Sequence, residues 1–332
     1  MSSQSILRQE NIKKNYGWFI VIVICLLPLL KISFDNYITL TIAGLALGMF
    51  VFLTASGLSV IFGLMDVLNM AHGAIFAFGG YASYTVLKRL GTLGWVETGT
   101  LGQSWASFGL GILAAIIVGV VVGFIIERVI IRQVYGDHLK QILITFGASY
   151  VMVEIIKIIW GPNVEPISIP DAFGGSWVLG NIIISKFRIM AIFVGVLVLI
   201  VSQLVLKKTK IGIIVRAGVE NREVVQAIGY NINKIFTAVF LVGAALAAIG
   251  GAMFSYNKLS VYPMMGEEQF IFAIIVVCIG GMGSIAGSFI GAIMVGLAYN
   301  YVAFLLPPLA LGIDILLMAI ILLIKPKGMM GQ

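Results

Sequence analysis

The chain has 332 residues, 60% of them hydrophobic and 11% charged, with a mean hydropathy of +1.09. Soluble domains are about a quarter charged, so this composition excludes a soluble fold. The net charge of +7 does not point to nucleic acid, because the basic residues sit between apolar runs, where they orient a chain across a bilayer.

Residues 1–16 are polar and basic, and an apolar run follows. A cleaved secretory leader has that profile, but Leu30-Lys31-Ile32-Ser33-Phe34-Asp35 offers no small-x-small cleavage site, so the run reads as a crossing. A crossing needs about 20 predominantly apolar residues. The chain supplies ten such runs, at 17–33, 38–62, 71–88, 107–126, 139–160, 188–206, 235–256, 268–281, 286–304 and 310–324. The eighth is short, and the second and third are nearly continuous. The expected fold is therefore an all-α polytopic membrane protein, a single transmembrane domain over 1–332 with about ten helices. Ten crossings leave both termini on one side. The termini and even-numbered loops hold fourteen of the 21 Lys and Arg residues, which assigns that side to the cytoplasm. Cys25 and Cys278 lie inside apolar runs and read as free thiols, not as a disulfide framework.

The first unusual stretch, 57–73 continuing to Gly79-Gly80-Tyr81, is rich in glycine, and Gly280-Gly281-Met282-Gly283-Ser284 with Gly287, Gly291 and Gly296 matches it in the second half. Glycine permits a helix break at membrane depth where the backbone is buried in protein or lines a cavity. Paired interrupted segments in two halves are the mark of an internal repeat with a permeation path between them. On that reading Asn69, His72 and Gly73 border the path from one side, and Gly280, Gly281, Gly283 and Ser284 from the other. The competing reading is that the glycines only let helices pack closely, as in the Gly287/Gly291 G-x-x-x-G pair. Asp66, Asn69 and His72 are spaced three apart, so a continuous helix would bring them to one face. A structural alternative puts Asp66 near the surface, with Asn69 and His72 bonding exposed backbone at a turn.

Further along, Glu154 and Lys157 are placed to pair within one helix. The stretches 91–107, 161–171 and 262–268 carry tryptophans, prolines and acids; they suit either docking of a soluble protein on the outer side or an ordinary interfacial belt. Asn300 and Tyr301 read as path-lining or as interhelical glue, and Asp314 as a residue near the outer end of the last crossing that faces water.

The largest basic segment, 207–234, holds Lys207, Lys208, Lys210, Arg216, Arg222 and Lys234. At its centre Asn221 is a good N-cap, and Glu220 and Glu223 suit the positive end of a helix dipole. Val224, Val225 and Ile228 form an apolar stripe and Gly229 stops the helix. A seven-residue helix over 222–228 would be about 10 Å long and marginal alone. It is expected to pack on its own domain and offer itself to a groove in a cytoplasmic partner, the alternative being a helix resting in the headgroups.

No Gly-Lys dipeptide occurs, so the phosphate-cradling loop is missing. His72 and His138 stand two crossings apart and no metal-ligand spacing is present. A nucleophile elbow and a chain of intramembrane carboxylates are also missing. No catalytic set, cofactor site or metal site is expected.

Several stretches resemble the permease subunits of branched-chain amino-acid ABC importers, a family that also includes urea and short-chain amide permeases. They are Asn69-Met70-Ala71-His72-Gly73, Leu143-Ile144-Thr145-Phe146-Gly147, Arg216-Ala217 through Ala227-Ile228-Gly229, the run 243–251, Gly280-Gly281-Met282-Gly283-Ser284 and Lys325-Pro326-Lys327-Gly328. Family members usually carry Phe where this chain has Met70. The resemblance implies a permease in the inner (plasma) membrane, paired with a second permease subunit, two cytoplasmic ATP-binding subunits and an extracytoplasmic solute-binding protein. It also implies that 220–229 is the helix that touches an ATP-binding subunit. A urea or amide permease, or a stand-alone secondary transporter or channel, is the rival expectation.

Overall fold

The computed structural model describes Ile24, Pro28, residues 31–220 and residues 222–331. The expected N-terminal segment 1–16, most of the expected crossing 17–33, and Asn221 lie outside the described residues. Eleven α-helices are described: α1 Phe34–Met65, α2 His72–Gly91, α3 Leu101–Val129, α4 His138–Trp160, α5 Lys186–Lys208, α6 Lys210–Glu220, α7 Arg222–Ala227, α8 Ile232–Lys258, α9 Met265–Gly280, α10 Ile285–Leu305 and α11 Ala310–Ile324. Each expected crossing from 38–62 onward falls on one of them. Among the described residues, six helices are long and apolar enough to cross a membrane: α1, α3 with its short extension to Gln133, α4, α5, α8 and α10. The helices α2, α9 and α11 are shorter or less apolar. The protein is thus a mostly helical, multi-pass membrane protein.

Helix α1 is the axis. At 32 residues it is about 48 Å long, well beyond the ~30 Å hydrocarbon core. It runs antiparallel to α10: Gly44 meets Gly296, Gly48 meets Ala292, and the Ser59 and Ser288 hydroxyls are 2.6 Å apart. A Cβ added to Gly48 would lie 2.6 Å from the Ala292 carbonyl oxygen, and one on Gly44 would lie 2.9 Å from that of Gly296. Helix α8 covers a second face of α1 through Gly57 against Gly243. It also receives α2 (Gly79 on Ala248) and α3 (Gly119 and Gly123 on Ala248 and Ala244). These are small-residue contacts, through which helix backbones approach closely in lipid.

Two small antiparallel sheets accompany the helices. β1 (Glu165–Pro166) pairs with β4 (Ser260–Val261), and β2 (Ser176–Leu179) pairs with β3 (Ile182–Ser185). The second is a hairpin whose two-residue turn begins at Gly180, φ +65°, a conformation that glycine adopts without a Cβ penalty.

The polar stretches separate to opposite ends of the bundle. At one end, His138 Nε2 lies 3.4 Å from Asp66, the Leu68 N–H donates to Gln141 Oε1 at 3.2 Å, and Gly283 abuts Gly63. The C-terminal tail joins this end, with Met329 and Met330 N–H donating to the Ile279 and Gly280 carbonyls at 2.8 and 2.9 Å. At the other end, Ile167 N–H donates to Leu259 O and Asp171 N–H to Val96 O, Lys88 faces Glu165 at 3.8 Å, and Asn181 donates to Asp35 at 3.2 Å.

If helix contact sets stability, Gly251→Ala, whose new methyl would strike the Phe76 carbonyl, costs about 1–3 kcal/mol. Gly147→Ala, on a helix face with open space around it, is neutral or slightly stabilising. Thermal unfolding of the two purified variants in one detergent measures the difference.

Candidate functional site

The two glycine-rich interruptions are real, and the fold brings them together. Helix α1 ends at Met65 with Asp66 in the left-handed region, φ 54°. Helix α9 ends at Gly280, and Gly281 and Gly283 turn the chain at φ +97° and +84°. The Cβ of a residue replacing Gly283 would lie 2.9 Å from Gly63 Cα, so the second turn sits directly on the last turn of α1. Both are turns at the same end of the bundle.

Within these turns the expected path residues serve packing and capping. Asn69 is fully buried; its Oδ1 accepts from the Ala71 N–H at 3.1 Å and leads into α2. His72 is fully buried as well, and its Nε2 donates to the Thr54 carbonyl of α1 at 3.1 Å. Gly73 lies against the backbone of Gly266, and Gly280 against that of Gly287. Gly281 admits the tail residue Gly331, and Ser284 Oγ caps α10 by accepting from Gly287 N–H at 3.0 Å. Asp66 is exposed, and the chain from 66 to 69 is not helical. The shared helix face expected of Asp66, Asn69 and His72 therefore does not exist. The left-handed residue ends the helix first, and the structural alternative describes the geometry.

Other polar residues sort clearly. Lys157 Nζ donates to Glu154 at 2.6 Å, as their spacing suggests. Tyr301 stacks on Tyr37, centroids 5.7 Å apart, and shares a 2.7 Å hydrogen bond with Thr41; Asn300 bonds the Gly296 carbonyl of its own helix. Both are glue. Asp314 does not face water. It is fully buried and neither carboxylate oxygen has a partner among the described residues, because the helix turns that face toward α9 and α10. Glu127, which sequence reasoning passed over, is buried too, its Oε1 accepting from Tyr135 at 3.1 Å. The signal was available: it ends the every-fourth-residue series Ser107, Gly111, Ala115, Gly119, Gly123, all buried.

The basic segment forms two helices. α6 was not expected, although Ile214, Val215 and Gly218 give it an apolar side; Val215 is buried and Gly218 touches Ile232. The helix expected over 222–228 is α7, six residues long. Gly229 follows at φ +94°, with its N–H donating to Gln226 O and that of Tyr230 to Val225 O. Val225 is 3% exposed and Ile228 is 69% exposed, so the expected stripe divides: one residue anchors the helix and the other faces out. Asn221 lies outside the described residues, as do the side chains of Glu220, Glu223 and Val224.

At the start of α4 the Asp137 carboxyl is held below its ordinary range by the Lys140 ammonium 2.9 Å away and by the Lys140 N–H, and the Lys140 ammonium is raised in turn. Among the described residues no group of His, Cys, Asp and Glu could hold a metal ion.

The family model described as "Branched-chain amino acid transport system / permease component" matches residues 40–324. The chain is 26% identical over 296 residues to the high-affinity branched-chain amino acid transport system permease protein LivH of Escherichia coli K12, covering 87% of this chain and 94% of that protein. It is 27% identical over 308 residues to the corresponding protein BraD of Pseudomonas aeruginosa, covering 90% and 96%. A shorter similarity, 32% over 115 residues, reaches the ribose import permease protein RbsC of Haemophilus influenzae. No solved structure matches the chain.

The divided stripe has a direct consequence. In a background with both native cysteines replaced, Ile228→Cys reacts with a maleimide at least about tenfold faster than Val225→Cys, since only the first thiol is accessible. Mass-spectrometric labelling rates on membranes measure this.

Proposed function

The chain belongs to the branched-chain amino acid transport permease family, and from that premise we propose that it is the membrane-spanning subunit of an ATP-driven importer. It passes branched-chain or similarly hydrophobic amino acids delivered by an extracytoplasmic binding protein. Hydrolysis of ATP occurs in two cytoplasmic ATP-binding subunits, and a second permease subunit completes the membrane part. The observation that carries this reading is the match to the permease model over 40–324, joined to the position of α6 and α7. They follow α5 at the bundle end that holds the C-terminal tail, and Lys207 and Lys208 border Ala286 there.

On this reading that end faces the cytoplasm. The excess of Lys and Arg in its loops supports the assignment. The short helices α2, α9 and α11 complete a ten-crossing topology with the segment 17–33. Residues 220–229 form the coupling knob: Val225 roots it in the permease, and Ile228, with Glu220, Asn221, Glu223 and Val224, enters a groove in an ATP-binding subunit. ATP closure then favours one orientation of the permease pair and release favours the other, a shift between two populations. Asn69, His72, Gly73, Gly280, Gly281, Gly283 and Ser284 take part in this reading as the rigid seat between knob and bundle. They transmit movement by backbone contact.

Ile228→Glu tests the coupling. A charge buried unpaired in an apolar groove costs several kcal/mol, so ATP-dependent leucine uptake by the reconstituted complex falls by more than about tenfold while membrane insertion is unchanged. Uptake at the wild-type rate would count against coupling through this helix. Uptake persisting without ATP and without partner subunits would favour a stand-alone carrier.

A further inference from the structure

Helix α11 reads Ala-Leu-Gly-Ile-Asp-Ile-Leu-Leu-Met-Ala-Ile-Ile-Leu-Leu-Ile over 310–324. Asp314 is its one polar side chain. It points inward, is fully buried, and leaves both carboxylate oxygens without a partner among the described residues. A charged carboxylate in the membrane interior costs roughly 2.5–3.5 kcal/mol on insertion scales and more without a partner, and an apolar residue like its neighbours would fill the same space. Among the described residues no group bonds to the Asp314 carboxyl.

Asp314 borders a cavity of about 60 Å³ between α1, α8, α9, α10 and α11, together with Gln269, Tyr299, Val51, Phe254 and Phe272. Asp314, Gln269 and Tyr299 give it polar atoms, and Leu47, Val51, Phe254, Phe272 and Val295 an apolar lining. At its edge stands Lys258, exposed, its ammonium 5.7 Å above the Phe254 ring and making no ion pair with Asp314. Lys258 closes α8 beside β4, which pairs with β1, so the cavity belongs to the bundle end opposite α7. Three chemistries therefore meet: a buried carboxyl without a partner among the described residues, an ammonium group at the rim and an aromatic–aliphatic wall between them.

We propose that this cavity receives, from the outer end, the polar head of the translocated amino acid. Its α-ammonium group pairs with Asp314, its carboxylate turns toward Lys258 and its side chain lies on Phe254 and Phe272. This rests on the importer reading above and narrows it, since urea and simple amides carry no ammonium group to satisfy Asp314. At about 60 Å³ the cavity as it stands is too small for a whole amino acid. The rest of the solute enters when α11, which packs on α9 and α10, moves outward.

The test uses the complete reconstituted complex with its binding protein. A membrane-permeant carbodiimide modifies Asp314, followed by mass spectrometry, and leucine slows the modification while equimolar sodium chloride does not. Asp314→Asn lowers ATP-dependent leucine uptake by at least about tenfold, and Asp314→Glu restores part of it. Equal modification with and without leucine, or full uptake by the Asn variant, overturns the proposal. Protection by sodium instead of leucine also overturns it and leaves an inorganic cation site. The carbodiimide arm uses the wild-type chain, so misfolding of a variant does not obscure the answer. A wild-type complex that takes up urea but no branched-chain amino acid defeats the importer reading itself, whereas wild-type leucine uptake matched by the Asn variant defeats only the role of Asp314.

Discussion

The molecule depends on close approach of helix backbones at residues without side chains. In lipid, burying a leucine against another leucine gains little, because the acyl chains it leaves are as apolar as the protein. Association then rests on dispersion contacts, which fall away with fractions of an ångström. Glycine and alanine bring the most atoms within range. Hence α1 is clamped by α10 at Gly44 and Gly48 and by α8 at Gly57. The large side chains are displaced outward. Along α3, Gly111, Ala115, Gly119 and Gly123 are buried, while Leu113, Ile117, Val121 and Phe124 are each about half exposed.

Such contacts fix register as well as distance. A glycine that fits opposite one carbonyl does not fit one turn away, so the depth of α10 beside α1 is set. With it goes the position of the 281–284 turn beneath Gly63. The tail then follows by backbone hydrogen bonds to the last carbonyls of α9, satisfying groups that a helix end otherwise leaves open. The polar end of the bundle is thus built from capped termini: Asp137 before α4, Asn231 before α8 and Ser284 before α10 each accept an N–H of the helix they open. α7 packs beside α6 and the start of α8, with Val225 buried.

The long apolar helices were legible because span length is a one-dimensional signal. So were the stop at Gly229 and the Glu154–Lys157 pair, which are local. What escaped depended on partners distant in sequence. The spacing of Asp66, Asn69 and His72 suggested one helix face, yet a left-handed Asp66 ends α1. The hairpin at Gly180-Asn181 was hidden inside a long polar interval, although Trp177-Val178-Leu179 and Ile182-Ile183-Ile184 flank it as strands should. Glycine richness was visible, but whether a glycine breaks a helix or packs it is decided by what lies opposite: Gly281 and Gly283 turn the chain, whereas Gly73 and Gly280 meet another backbone. Asp314 looked peripheral by position and is buried by rotation of α11, a quantity the linear sequence does not carry.

These features set where movement can occur. A core whose helices touch backbone to backbone cannot part gradually, since each contact is lost over a fraction of an ångström and must be lost with its neighbours. Motion is therefore cheapest at the boundary between the clamp of α1, α8 and α10 and the helices that meet it mainly through side chains, namely α4, α5 and α11. α11 is short, borders the cavity at Asp314, and leads directly into the tail that hydrogen-bonds to the end of α9. α11 consequently connects two places that the clamp itself keeps apart: the cavity beside Asp314 at one end of the bundle and, through the tail, the turn after α9 at the other.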